Sequence, residues 1–294
     1  MSKLKEALEA GHFPLVAEIK PPKGVARDGW LSPVSDLKGK VAAFGVPDNE
    51  HARMKLSALA AAVLVQQAGG EPVLHLACRD RNRLALESDL LGAGALGLEN
   101  ILAVSGDYVT LGDHPQAKPV YDADSVQLLQ IARGLMAGHD SADLPLAGNP
   151  NFFLGAVLIP EAEPLGPQLL KFRKKVAAGA QFFVTPPIFD LDKFRRFRES
   201  LGDQPVKILA CVKVVSPEEV AQAATGQHRK VYSLPAAVLQ ELAGKDPEET
   251  LLKGAAVAGD LLKKIRAEKL ADGAYVKAQG RSDLLARVLE AAGV

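Results

Sequence analysis

Two carboxylates stand where apolar runs stop. Glu18 ends Phe13-Pro14-Leu15-Val16-Ala17-Glu18-Ile19, and Asp107 ends Ile101-Leu102-Ala103-Val104-Ser105-Gly106-Asp107. A carboxyl group at such a position can move a proton or stabilise a developing positive charge. Other chemistry-bearing residues occupy equivalent places: Asp48, His75, Arg79, Glu161, Thr185 and Lys213. Lys213 and Lys277, near the ends of their apolar runs, are the residues from which a Schiff-base lysine would be chosen. The six histidines (His12, His51, His75, His114, His139 and His228) show no H-x-x-x-H spacing and the two cysteines no C-x-x-C, so no metal site is expected. A nucleophilic serine elbow, G-x-S-x-G, is missing as well.

Residues about ninety positions apart share a site only if their strands share a sheet. Eight short apolar runs, near 14–19, 40–46, 72–78, 99–105, 152–159, 181–185, 206–212 and 273–277, are rich in Val, Ile, Leu, Phe and Ala without strict alternation. That pattern marks strands buried on both faces. Helical stretches at 49–68, 81–96, 123–137, 165–178, 190–200, 216–225, 235–241 and 247–267 separate them, and Ser282–Leu289 closes the chain as another amphipathic helix. Regular β–α alternation predicts parallel strands with right-handed crossovers, and eight strands favour a (β/α)₈ TIM barrel over a doubly wound sheet. The strand C-terminal ends, Glu18 and Asp107 among them, would then converge on one rim. No linker-like segment divides residues 1–294, so a single domain is expected.

The literal G-x-G-x-x-G at Gly92–Gly97 follows a helix and precedes a strand, the reverse of the order a dinucleotide-binding turn requires. Lys plus Arg and Asp plus Glu number 35 each, and aromatic residues make up 5% of the chain. This balance advertises no nucleic-acid surface. Cys78 and Cys211 lie inside apolar runs and read as buried free thiols. Met1–Leu8 reads as the start of an amphipathic helix rather than a signal peptide, and no apolar run approaches the roughly 20 residues needed to span a bilayer. No membrane partner is expected, and a cytoplasmic location is.

Several blocks together resemble the methylenetetrahydrofolate reductase family. They are Glu18-Ile19-Lys20-Pro21-Pro22-Lys23, Leu74-His75-Leu76-Ala77-Cys78-Arg79-Asp80-Arg81-Asn82-Arg83, Leu102–Asp107, Phe172–Phe183 and Gly280-Arg281-Ser282-Asp283-Leu284, in the family's order over most of the chain. The resemblance implies a barrel that reduces 5,10-methylenetetrahydrofolate to 5-methyltetrahydrofolate by hydride transfer from a reduced flavin, FAD or in its place FMN. Glu18 matches the family's general acid, which protonates the folate amine. Asp107 matches the acid placed between flavin and pterin, and His75, Ser105, Gly106, Tyr121, Lys174 and Lys175 match flavin-lining positions. Arg79–Arg83 with Asp113–Lys118 is similar to the short branch of anaerobic one-carbon metabolism, some of whose members work with partner subunits. The implied electron donor is NAD(P)H or a partner redox subunit, and an oligomer or complex subunit is expected.

The chain departs from the family at Pro186-Pro187, where relatives carry a glutamine after the threonine, at Pro47, often a threonine, and in the shortened Ile159–Glu163 segment. These departures motivate two other readings. One is a pterin-binding or regulatory barrel within a larger redox complex, without hydride chemistry of its own. The other is a pterin-dependent methyltransferase barrel feeding a corrinoid protein.

Overall fold

The computed structural model describes residues 2–27, 29–202, 204–225, 234–244 and 246–293; His228 lies outside them. The strands are β1 (Leu15–Glu18), β2 (Ala43–Val46), β3 (Pro72–Ala77), β4 (Asn100–Val104), β5 (Phe153–Val157), β6 (Phe182–Pro187), β7 (Lys207–Lys213) and β8 (Gly273–Lys277). They form a closed barrel in sequence order, every neighbouring pair parallel, with β8 closing on β1 through Val16 opposite Tyr275. The helices are α1 (Lys3–Glu9), α2 (Ser32–Asp36), α3 (Ala58–Gln67), α4 (Arg83–Ala95), α5 (Ser125–Met136), α6 (Leu165–Ala177), α7 (Leu191–Leu201), α8 (Pro217–Ala224), α9 (Ala236–Leu242), α10 (Pro247–Ala267) and α11 (Ser282–Ala292). The expected (β/α)₈ barrel is what forms. Among the described residues, no helix is long and apolar enough to cross a membrane.

Alternate residues of each strand serve two cores. Val16, Ala43, Val73, Leu102, Phe153, Phe182, Leu209 and Tyr275 fill the barrel interior. Their neighbours, such as Ala17, Phe44, Leu74, Ile101, Leu154, Phe183 and Ile208, pack against the helices. Burial on both faces explains the unbroken apolar runs. Leu4 and Leu8 of α1 join the interior cluster, so the first helix plugs the N-terminal end of the barrel. Glu71 holds that plug by accepting from the Lys3 and Leu4 backbone N–H groups at 2.8 and 2.9 Å, a carboxylate placed at a helix N-terminus. The interior therefore opens toward the C-terminal ends of the strands.

Two local differences from the sequence expectation matter. The stretch 49–68 is not one helix. A 3₁₀ turn, Glu50–Ala52, precedes a loop, and α3 starts at Ala58. Asn49, His51 and Ala52 of that turn have φ of 45°, 59° and 55°, the left-handed region that costs non-glycine residues energy and needs tertiary support. In β6, Pro186 and Pro187 bring no N–H groups to the ladder, and the register against β7 shifts between Val184 and Pro187. Thr185 repairs the gap: its Oγ1 accepts from the Cys211 N–H at 2.9 Å.

Candidate active site at the barrel mouth

Glu18 ends β1 beside the end of β8, and Lys277 of β8 places Nζ 2.7 Å from Glu18 Oε2. Tyr275, two residues earlier and on the same inward face, donates from its hydroxyl to that oxygen at 3.2 Å. The same hydroxyl lies 3.3 Å from His75 Nε2, across the barrel on β3. Between β1 and β3 stands Gly45 of β2, and the Tyr275 hydroxyl occupies the volume a side chain there would take. Lys277 also meets Glu50 Oε1 at 2.5 Å, and so bridges two carboxylates.

The electrostatics follow from this packing. Burial alone would strip the Lys277 proton, but Glu18 and Glu50 outweigh it and hold the ammonium well above the usual lysine range. Lys277 is therefore a charged clamp and not a Schiff-base amine, which needs a depressed pKa. Burial would likewise raise Glu50, yet Lys277, His51 and Lys20 pull its carboxyl far below the ordinary range. Burial, reinforced by the Lys277 charge, pushes the His75 ring down to about 3, so it is neutral at physiological pH. Burial and the Glu18 charge raise the Tyr275 phenol. Both thiols are buried and free, and burial lifts Cys78 and Cys211 to about 12, which makes them inert. One atom is left over: Glu18 Oε1 is buried and has no hydrogen-bond partner among the described residues.

Asp107 reaches the same mouth from the loop after β4. Its Oδ2 accepts the His51 backbone N–H at 2.9 Å. Because Glu50 pairs with Lys277, the left-handed turn spans the two acids, gripping Glu18 through the lysine and Asp107 through the backbone. Ser105, Gly106 and Tyr121 shape the Asp107 loop. The Ser105 Oγ accepts from the Ser125 N–H at the start of α5 at 3.2 Å, and the Tyr121 hydroxyl donates to the Asp107 carbonyl at 3.0 Å. Gly106 has φ of +90°, and a Cβ there would fall 2.8 Å from the Arg79 Cβ. Arg79 is buried and grips Asp80 with two bonds of 2.6 and 2.8 Å.

The remaining candidates divide clearly. Lys175 threads its partly buried stem to the end of β5 and donates from Nζ to the Val157 carbonyl at 2.7 Å. Lys174, turned by about 100° on the same helix, is exposed. Asp48 accepts from Ala77 N–H and Arg81 and is a buried structural anchor. Glu161 accepts from the Phe189 and Asp190 N–H groups before α7, and Lys213 pairs with Glu219. Thr185 is occupied in the ladder. Glu50 and Tyr275 were not among the expected site residues. Glu50 sits in the stretch that reads as helix, and the only sequence sign of Tyr275 is a polar-tipped aromatic inside an apolar run.

The methylenetetrahydrofolate reductase family profile matches residues 3–293. The chain is 26% identical over 210 residues to the 5,10-methylenetetrahydrofolate reductase of Pectobacterium carotovorum subsp. carotovorum, covering 70% of this chain and 65% of that protein. It is 26% identical over 208 residues to the Escherichia coli K12 protein of the same name, with the same shares covered. The match thus spans just under two thirds of these relatives. Among solved structures, a Clostridium thermocellum protein that binds two copies of 5-methyl-5,6,7,8-tetrahydrofolic acid superposes with a TM-score of 0.64 at 12% identity, over 99% of this chain and 98% of that one. Tryptophan synthase from M. tuberculosis gives 0.51 at 12% identity, over 100% and 98%; at these identities the likeness is one of fold. With its profile matched from the plugging helix to α11 around this two-acid mouth, the chain belongs to the methylenetetrahydrofolate reductase family.

Proposed function

We propose that this chain interconverts 5,10-methylenetetrahydrofolate and 5-methyltetrahydrofolate at the barrel mouth, with a flavin as hydride carrier and NAD(P)H or a partner redox subunit as electron source. The observation that carries the reading is the joining of Glu18 and Asp107 by one strained turn, through Lys277–Glu50 and the His51 N–H. The fold accommodates the ligand class, since a similar barrel holds 5-methyltetrahydrofolate.

The donor set fits a flavin. Among the described residues the Lys175 ammonium has one acceptor, Val157, and it keeps further N–H groups for an anion. The Ser105 hydroxyl accepts one bond and can still donate, and the half-buried His75 ring is neutral. Lys175, Ser105 and His75 would hold the group, which when bound supplies a hydride. The chain's own residues do the rest. Glu18 carries the proton exchanged with the folate amine at Oε1, the buried oxygen with no partner among the described residues. Asp107, whose side chain is 39% exposed, stabilises the iminium that forms when the methylene bridge opens. Tyr275 and Lys277 orient Glu18 from below and beside it.

The test is the visible spectrum of the purified protein supplied with FAD or FMN, followed by anaerobic addition of 5-methyltetrahydrofolate. Bleaching of the oxidised flavin band is the expected result, being the hydride half-reaction in reverse. Folate binding without bleaching in a flavin-loaded sample would overturn the hydride reading in favour of a pterin-binding barrel.

A further inference from the structure

Lys277 fixes which oxygen of Glu18 the protein satisfies: its ammonium touches Oε2 at 2.7 Å, and the Tyr275 hydroxyl donates to that same oxygen at 3.2 Å. Both donors converge on one oxygen, and Oε1 is buried with none among the described residues. Glu18 itself is 6% exposed, and a buried acceptor without a donor is costly. Such an oxygen is satisfied by a ligand that brings an N–H or O–H to it.

Reduced folates differ at this point of chemistry. In the methylene-bridged form the amine nitrogen is bonded to three carbons, the bridging methylene among them, and carries no hydrogen. In the ring-opened form, 5-methyltetrahydrofolate, that nitrogen carries N–H. We infer that Lys277 is a positioning residue that holds Glu18 as a one-sided acceptor, so that the ligand-free mouth selects the ring-opened, N–H-bearing reduced folate over the bridged form. This rests on the proposed folate reading.

The groups facing the pair agree with the assignment. From β2 and its turn come Glu50, bound to Lys277, and His51. From β3 comes neutral His75, from β7 Cys211, and from β8 Tyr275. Lys20 lies within electrostatic reach of Glu50. Without Lys277, only the Tyr275 hydroxyl at 3.2 Å remains on Oε2, nothing fixes which oxygen faces the mouth, and the selectivity goes.

Equilibrium binding of 5-methyltetrahydrofolate and of 5,10-methylenetetrahydrofolate (kept bridged by excess formaldehyde) to the full chain at neutral pH tests this. Wild type is expected to prefer the methyl form by about tenfold, the scale of one hydrogen bond to a charged group. Lys277→Met should erase the preference, Lys277→Arg should restore it, and Glu50→Gln should retain it, because Lys277 then serves Glu18 alone. A preference unchanged in Lys277→Met, or not restored in Lys277→Arg, overturns the role of Lys277. Binding of both folates without preference in wild type overturns the selectivity alone, whereas failure of wild type to bind either folate overturns the functional reading and the selectivity with it.

Discussion

A Cβ built on Gly45 would lie 2.1 Å from the Tyr275 hydroxyl oxygen, so the bare β2 backbone and the β8 phenol occupy one volume. That absence of a side chain lets the phenol stand beneath Glu18 and His75 at once. Gly45→Ala should push the ring aside and overpack the interior, costing about 1–3 kcal/mol. Chemical denaturation measures that loss. Should the variant prove as stable as wild type, Gly45 would not be what admits Tyr275.

His75 makes stability depend on pH in a definite direction. Burial, with Lys277 beside it, lowers the ring from 6.5 to about 3 in the folded protein. Between those values the unfolded chain binds a proton that the folded chain refuses, so stability present at neutral pH is lost as pH falls below about 6.5. Discounted for the ring's partial access to water, wild type should lose about 1 kcal/mol more than His75→Asn on going to about pH 5. Urea titrations of both proteins at two pH values decide it; parallel losses would mean that His75 does not set the trend.

The barrel was legible because burial on both faces leaves its mark on every strand, and Glu18 and Asp107 were legible because they interrupt or end such runs. The turn at Asn49–Ala52 was not. Its residues carry no glycine to announce left-handed backbone, and Lys277 and Asp107, far away in sequence, help to hold it. Gly45 against Tyr275 depends on the register of non-adjacent strands, which composition does not encode. The Leu4 and Leu8 plug reads as an ordinary amphipathic helix, since the partner of its apolar face is a barrel interior that exists only after closure. The two prolines of β6 were visible as a departure from the family, but their repair by Thr185 was not.

That repair is itself testable. Thr185 Oγ1 is the acceptor for the Cys211 N–H where Pro186 and Pro187 disturb the ladder. Thr185→Val preserves shape and removes the acceptor, leaving a buried N–H unsatisfied at a cost of about 1–3 kcal/mol. Thr185→Ser should cost less, because the hydroxyl remains. A valine variant as stable as the serine variant, compared by thermal and urea unfolding, would show that the ladder does not need this oxygen.

Lys175 provides a pH test of the cofactor reading that is independent of turnover. Burial, with Lys171 nearby, lowers its ammonium from 10.5 to about 8. The group is charged below that value and neutral above it, so its attraction for a phosphate-bearing ligand is full at lower pH and is lost as pH rises through about 8. FAD affinity, followed by quenching of flavin fluorescence, should therefore fall through that interval in wild type. Lys175→Arg, which stays charged, should flatten the profile. Lys175→Met should bind FAD about tenfold more weakly at neutral pH and show no step, as expected for loss of one charge-assisted hydrogen bond. Were all three proteins to show the same profile, Lys175 would be a structural lysine whose amine serves only the Val157 carbonyl.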